Sequence, residues 1–268
     1  MKYVGFISLA ALLLSISCVP NKKLIYLQNL EGNEVIYEDS LITYSTSEYR
    51  LQYNDVVDIQ VHTLDVAMNE FFNIRPILNM QTQQMAGASG GDIFYVTGYT
   101  VDKEGNIEIP LLGNVQVNNK TLAEVKDTVS EKLKRFITSD DFFVRVKLGG
   151  IRFSTLGEFR SPGKHVVLQD RMTIFEAIAH AGDLRVTAKR DEILLLRQYP
   201  EGTKLHRINL TDRSLVASPF YFIQPNDQLY AEPLKVRELG TGENLAQSIQ
   251  LIVTSITAAV LILNLILN

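Results

Sequence analysis

The chain has 268 residues, 46% of them hydrophobic, with 26 Lys+Arg against 30 Asp+Glu, one Cys and no Trp. A charged fraction of 21% beside that apolar content excludes overall disorder, and a formal charge of -4 argues against broad nucleic-acid binding, which needs a basic stripe. The single cysteine excludes an intrachain disulfide and a cysteine-based zinc cluster.

Residues 1–17, MKYVGFISLAALLLSIS, carry one charge at Lys2 and an uncharged, largely apolar stretch from Tyr3 to Leu14 before small residues. That pattern is a secretory signal, with an apolar core too short to span a bilayer comfortably. The only cysteine, Cys18, follows directly. The arrangement resembles a bacterial lipoprotein signal, which implies that the Cys18 thiol is acylated and becomes the mature N-terminus. It departs from the usual pattern in that Leu14 sits one residue early and Ser15 takes the place normally held by Leu.

Residues 18–47 form an N-terminal segment with alternating apolar positions and exposed turns at Lys22-Lys23 and Glu31-Gly32-Asn33. In 49–61, YRLQYNDVVDIQV, alternation predicts a strand that breaks at Asn54-Asp55 and resumes at Val57, Ile59 and Val61. Residues 221–233, YFIQPNDQLYAEP, repeat its pattern: Tyr49/Tyr221, Leu51/Ile223, Gln52/Gln224, Asn54/Asn226 and Asp55/Asp227. Two similar turns, or two related substructures that each enter a strand through such a turn, account equally for the match.

Residues 65–98 are polar and read as an inserted loop. Tyr99–Ile109 predicts a hairpin turning at 103–106, with Gly105 available for positive φ, and Pro110–Val117 continues extended. Thr121-Leu-Ala-Glu124 is a capping-box pattern opening a helix with Leu122, Val125, Val129, Leu133 and Phe136 on one face. Phe142–Leu148 alternates as a strand. Beyond it come a strand at Arg152–Leu156, a type II turn with Pro162-Gly163 at its centre, and a strand at His165–Leu168. A short helix capped by Thr173 and Glu176 and ended by Gly182 follows, then a strand at Glu192–Arg197. This order is β-grasp-like, and residues 199–240 read as a returning β segment.

From Leu245 to Asn268 no residue is charged. At 1.5 Å per residue, about 20 helical residues cover a hydrocarbon core of roughly 30 Å, so 245–268 reads as a single transmembrane helix. Its polar residues Gln247, Gln250, Thr254, Thr257, Asn264 and Asn268 fall on one stripe, with Leu261 in the missing rung. In lipid, an unsatisfied polar group costs several kcal/mol, so the stripe fits a face turned to water or to other copies. The alternative is a plain membrane anchor.

The segments Tyr49–Ile59, Val101–Gly113 and Thr121–Glu124 resemble the polysaccharide export domain of the bacterial outer-membrane polysaccharide export family, the lipoproteins of capsule and exopolysaccharide translocons. Gly157–Gly163 with Thr173–Gly182 resembles that family's soluble-ligand-binding β-grasp domain. The fold expected is therefore α+β: residues 48–149 as the export domain, 150–198 as the β-grasp domain, and the C-terminal helix. The resemblance implies a homo-oligomeric ring, commonly of eight copies, that passes capsular or exopolysaccharide through the outer membrane. Its body would lie in the periplasm, with an inner-membrane polysaccharide co-polymerase as partner. A monomeric, membrane-anchored glycan-binding protein is the competing expectation.

Catalytic chemistry is not legible. His62, His165, His180 and His206 lack metal-ligand helical spacing. Gly157 and Gly163-Lys164 are separated by one residue too many for a phosphate loop, and no Ser or Thr follows the lysine. Asp140-Asp141 reads as a solvated turn. No catalytic residue, metal ligand or cofactor is assigned.

Overall fold

The computed structural model describes residues 21–33, 35–43, 48–65, 68–69, 72, 97–137, 142–235 and 245–267. The signal segment, Cys18, Asp140-Asp141, Asn268 and most of the 65–98 loop lie outside them.

The first unit is built on β1 (Val56–Thr63), which pairs antiparallel with β2 (Tyr99–Thr100) on one side and along its whole length with β5 (Phe142–Leu148) on the other. β3 (Asn106–Ile109) and β4 (Gly113–Gln116) form a separate hairpin. Helix α1 (Leu122–Leu133) begins where Thr121 Oγ1 accepts from the Glu124 N–H and the Glu124 carboxylate accepts from the Thr121 N–H. Two otherwise orphaned donors are thereby satisfied. The helix buries Val125, Val129 and Leu133 completely, each burial contributing about 1.5–3 kcal/mol. Phe72 is also buried, so the loop contributes at least one side chain to the core.

Three expectations change here. Residues 49–53 are not a strand, because Leu51 spends its backbone groups on the Lys120 carbonyl and the Asn119 N–H. The hairpin is β3–β4, with Leu111 and Gly113 at positive φ; the turn at 102–106 exists, with Gly105 at φ +83°, but β2 leaves it to pair with β1. Phe136 lies beyond the helix end and is exposed.

In the second unit a five-stranded sheet runs in the order β10-β9-β12-β6-β7. Its members are β6 (Ile151–Gly157), β7 (Gly163–Val167), β9 (Ala188–Tyr199), β10 (Gly202–Ile208) and β12 (Asp227–Pro233). β8 (Met172–Thr173) and β11 (Phe222–Ile223) form a small ladder beside helix α2 (Ile174–His180). α2 repeats the capping box with Thr173 and Glu176. It ends in a Schellman motif: Gly182 at φ +78°, with its N–H on Ala179 O and the Asp183 N–H on Ile178 O.

The sheet does not close at residue 198. β12 sits between β9 and β6, parallel to β6, so the segment expected to return after the β-grasp unit is the centre of its sheet. That central place demands a glycine at 157, where φ is +81° and a Cβ would land on the Ala231 carbonyl oxygen. Gly163 opens β7 opposite Thr155 instead of sitting inside a type II turn.

One buried cluster runs through both units. The N-terminal segment docks on the second. Leu27 and Gln28 donate to the carbonyls of Leu210 and Thr211, and Arg190, itself buried, donates to the Leu24 carbonyl at 2.6 Å. Tyr26 donates to Asp183 Oδ1 at 2.6 Å. The fold is α+β, as expected, and helix α3 (Leu245–Leu267) completes it. Among the described residues no helix is long and apolar enough to cross a membrane.

Candidate functional site

The repeated Gln-x-Asn-Asp segments fold alike and meet. In the first, the Asp55 N–H donates to the Gln52 carbonyl at 3.2 Å and the Asp55 carboxylate accepts from the Gln52 N–H at 2.8 Å. In the second, Asp227 and Gln224 reproduce both bonds at the same lengths. Asn54 and Asn226 occupy the left-handed region at φ +70° and +66°, which asparagine tolerates better than most residues. Each turn leads directly into a strand, β1 and β12. The Asn226 side-chain amide then donates to Asp55 Oδ1 at 3.2 Å, tying the two units together.

The electrostatics of the two turns differ. Asp227 is fully buried and receives Arg197 in a fork, Nε to Oδ1 at 3.0 Å and Nη2 to Oδ2 at 2.7 Å. Burial raises the Asp227 carboxyl, and the guanidinium opposes that shift. Asp55, also buried, takes its third hydrogen bond from the Tyr49 hydroxyl at 2.6 Å. Desolvation pushes its pKa up to about 6, against the lowering effect of Tyr49, Gln52 and the Arg152 charge. Tyr49 is raised in turn, by its own burial and then by the Asp55 charge.

Around this contact lie two cavities. One, of about 260 Å³, is lined by Tyr49, Asp170, Arg171, Phe222 and Pro225, with the Arg171 guanidinium 3.9 Å from the centre of the Phe222 ring. The other, of about 560 Å³, opens between the Asn54 turn and the face of the five-stranded sheet carrying Arg152, Ser154, Lys164 and Gln228. β-pairing sets this second wall, since Ser154 lies opposite both Lys164 and Gln228.

The histidines scattered in sequence are partly gathered. His165 stacks on Phe153 at 4.9 Å and meets the His180 ring edge-on at 5.4 Å, while Thr155 Oγ1 lies 2.9 Å from His165 Nε2. Desolvation, followed by the neighbouring His180, lowers the His165 pKa. Among the described residues no group of three or more His, Cys, Asp or Glu forms a metal cluster.

Of the residues singled out on the C-terminal helix, Gln250, Thr254, Thr257 and Asn264 lie on α3 and are exposed. Thr254 and Thr257 donate their hydroxyl protons back to the carbonyls of Gln250 and Val253, at 2.8 and 2.7 Å. Gln247 belongs to the same helix; Asn268 and Cys18 lie outside the described residues. Sequence reasoning paired the two Asn-Asp turns but missed their contact and the Arg197 fork. Periodicity places Arg197 in a strand and says nothing of what it faces.

Residues 43–148 match the family model described as polysaccharide biosynthesis/export protein. The EPS I polysaccharide export outer membrane protein EpsA of Ralstonia nicotianae is 30% identical over 142 residues, covering 52% of this chain and 35% of that protein. EpsA of Ralstonia solanacearum is 29% identical over 156 residues, covering 56% of this chain and 38% of that protein. The chain thus spans a little over a third of the length of these relatives. Both are named for export and not for a catalysed reaction.

Proposed function

We propose that this chain, whose residues 43–148 match the polysaccharide biosynthesis/export model, is a member of that family and an outer-membrane lipoprotein that assembles into an oligomeric channel exporting capsular or exopolysaccharide to the cell surface. The observation that carries the channel reading is the polar stripe of α3, where Gln250, Thr254, Thr257 and Asn264 are exposed on a helix of 23 residues. Such a helix is about 34 Å long against a hydrocarbon core of roughly 30 Å, and in the assembled channel it is the membrane-spanning element. Cys18 is the acylation site, the body occupies the periplasm, and a ring of copies turns the stripe inward, with Gln247 and Asn268 extending it. An inner-membrane polysaccharide co-polymerase delivers the polymer.

The chemistry of the stripe suits passage better than capture. Thr254 and Thr257 satisfy their own protons within the helix, so towards a lumen they offer acceptor oxygens. The amides of Gln250 and Asn264 offer both donors and acceptors. A polyhydroxylated chain can exchange bonds with such groups and with water, and no single site holds it. The channel supplies no driving force of its own; that comes from the delivering partner.

Two measurements test the reading. The mass of the mature, acylated protein in a native-lipid nanodisc should correspond to several copies of the chain; a strict monomer overturns the channel. Replacing Gln250, Thr254 and Thr257 together by Leu should abolish surface polysaccharide while the protein stays in the membrane fraction, and unchanged export refutes pore lining by that face. Cys18→Ala should leave the protein unacylated and away from the outer membrane.

A further inference from the structure

Two exposed surfaces of the chain are opposite in charge and alike in carrying large apolar side chains. The first is the outer face of the β1–β5 pair. Register puts His62 opposite Phe143, Gln60 opposite Arg145 and Asp58 opposite Lys147 on that face, while Val57, Ile59, Val61, Val144 and Leu148 are buried on the other. Phe143 is 56% exposed, and the Lys126 ammonium of α1 lies 5.5 Å from its ring centre. Asp58 is buried and accepts from the Gln60 amide at 2.8 Å, and Lys147 has Asp170 at 3.8 Å. Lys126 and Arg145 are exposed and form no ion pair among the described residues. The face is basic around an aromatic ring.

The second surface is the turn at 37–40 in the N-terminal segment. The Ser40 N–H donates to the Tyr37 carbonyl at 3.1 Å, which sets Glu38 and Asp39 at the tip. The second unit and the segment itself hold this turn in place. Asn29 exchanges two side-chain bonds with the Ile36 backbone, at 3.1 and 3.2 Å, and Arg213 Nη1 donates to the Ile36 carbonyl at 2.8 Å. Such ordering in advance lowers the entropic cost of binding. Glu38 and Asp39 form no ion pair among the described residues, and Tyr37 and Leu41 beside them are 74% and 93% exposed. Apolar and aromatic side chains bordered by charge have the composition of an interface core with its rim.

Charge decides the occupant. An acidic apolar turn fits a basic aromatic face, and each surface repels its own kind. We propose that the 37–41 turn of one copy docks on the β1–β5 face of the next, with Glu38 and Asp39 against Lys126 and Arg145, and Tyr37 and Leu41 against Phe143. Two unlike surfaces that meet in this way repeat head to tail, and the series closes into a ring where the rotation per copy permits. The contact rests on the oligomer reading above and names where its copies touch.

Charge reversal at exposed positions tests it on the mature, acylated protein in detergent, by following oligomer mass through a dilution series. Glu38→Lys with Asp39→Lys, and separately Lys126→Glu with Arg145→Glu, should each raise the concentration of half-dissociation at least about tenfold. All four changes in one chain should restore assembly. Mixing the two reversed proteins should restore it as well, because every turn then finds a face of opposite charge on the other variant. Unchanged denaturant midpoints should accompany both reversals. If the wild-type protein is oligomeric and neither reversal loosens it, this contact is overturned and the oligomer stands. A wild-type monomer sinks both. Loosening that neither the combined chain nor the mixture repairs overturns the pairing of these charges. Repair in the combined chain but not in the mixture makes the contact internal to one copy and overturns docking between copies.

Discussion

The two Gln-x-Asn-Asp turns have the same backbone, the same left-handed asparagine and the same aspartate-to-glutamine bonds, yet they neutralise their buried carboxylates in opposite ways. Asp227 is matched by a guanidinium from β9, a strand of its own sheet. Asp55 is matched by a phenol and two N–H groups, one of them from the other unit. Local sequence specifies the turn, and tertiary surroundings decide whether its acid is an ion or a titratable hydrogen-bonding group. The first arrangement holds one sheet together. The second couples two units and responds to pH in the weakly acidic range.

That contrast breaks most visibly at Arg197. Arg197→Ala leaves Asp227 buried without its cation and should cost about 3–5 kcal/mol in denaturant unfolding. A loss below 1 kcal/mol would mean that the two turns do not differ in kind. Next is Asp55. Its native pKa lies above the ordinary carboxylate range, so the folded state holds this proton more tightly than the unfolded chain does. Its contribution is therefore full at acid pH and is lost as pH rises from about 4 through about 6, by about 2–3 kcal/mol. Asp55→Asn should flatten this part of the stability-against-pH curve, measured by chemical denaturation at several pH values; an unchanged slope would sink the assignment. Finest of all is Asn226. Asn226→Gly removes the bond between units and should cost about 0.5–1.5 kcal/mol, whereas Asn226→Ala should cost about 1–2 kcal/mol more because alanine resists the left-handed backbone. Identical melting of the two variants would show that φ at this position carries no strain.

Much of the architecture was readable from residue pattern. Thr121/Glu124 and Thr173/Glu176 mark the starts of α1 and α2, and Gly182 marks the end of α2, because caps are local chemistry. Val57, Ile59 and Val61 announced β1 by alternation. Strand partners were not readable in this way. β2 pairs with β1 and not with its sequence neighbour β3, and β12 inserts between β9 and β6, since pairing is decided by long-range burial that a period of two cannot encode. Residues 49–53 alternate like a strand, but their backbone bonds lie with residues 119 and 120. Of the site, the shared turn was visible as text, but its acid-to-amide contact across the junction required the fold. His165 and His180 show the same limit: fifteen positions apart in sequence, they become neighbours only when β7 lies beside α2.

The docking of Leu24, Tyr26 and Gln28 on the second unit limits how far the body can stand from a lipid-modified end. Five residues lie between Cys18 and Leu24, and a fully stretched chain covers at most about 3.6 Å per residue, so the leash is at most on the order of 20 Å. An acylated Cys18 would therefore hold the Arg190 side of the sheet close under the leaflet, too near for another folded module to slip between. Lengthening that leash by insertion before Asn21 is then a direct way to move the body relative to the bilayer without altering any residue in its core.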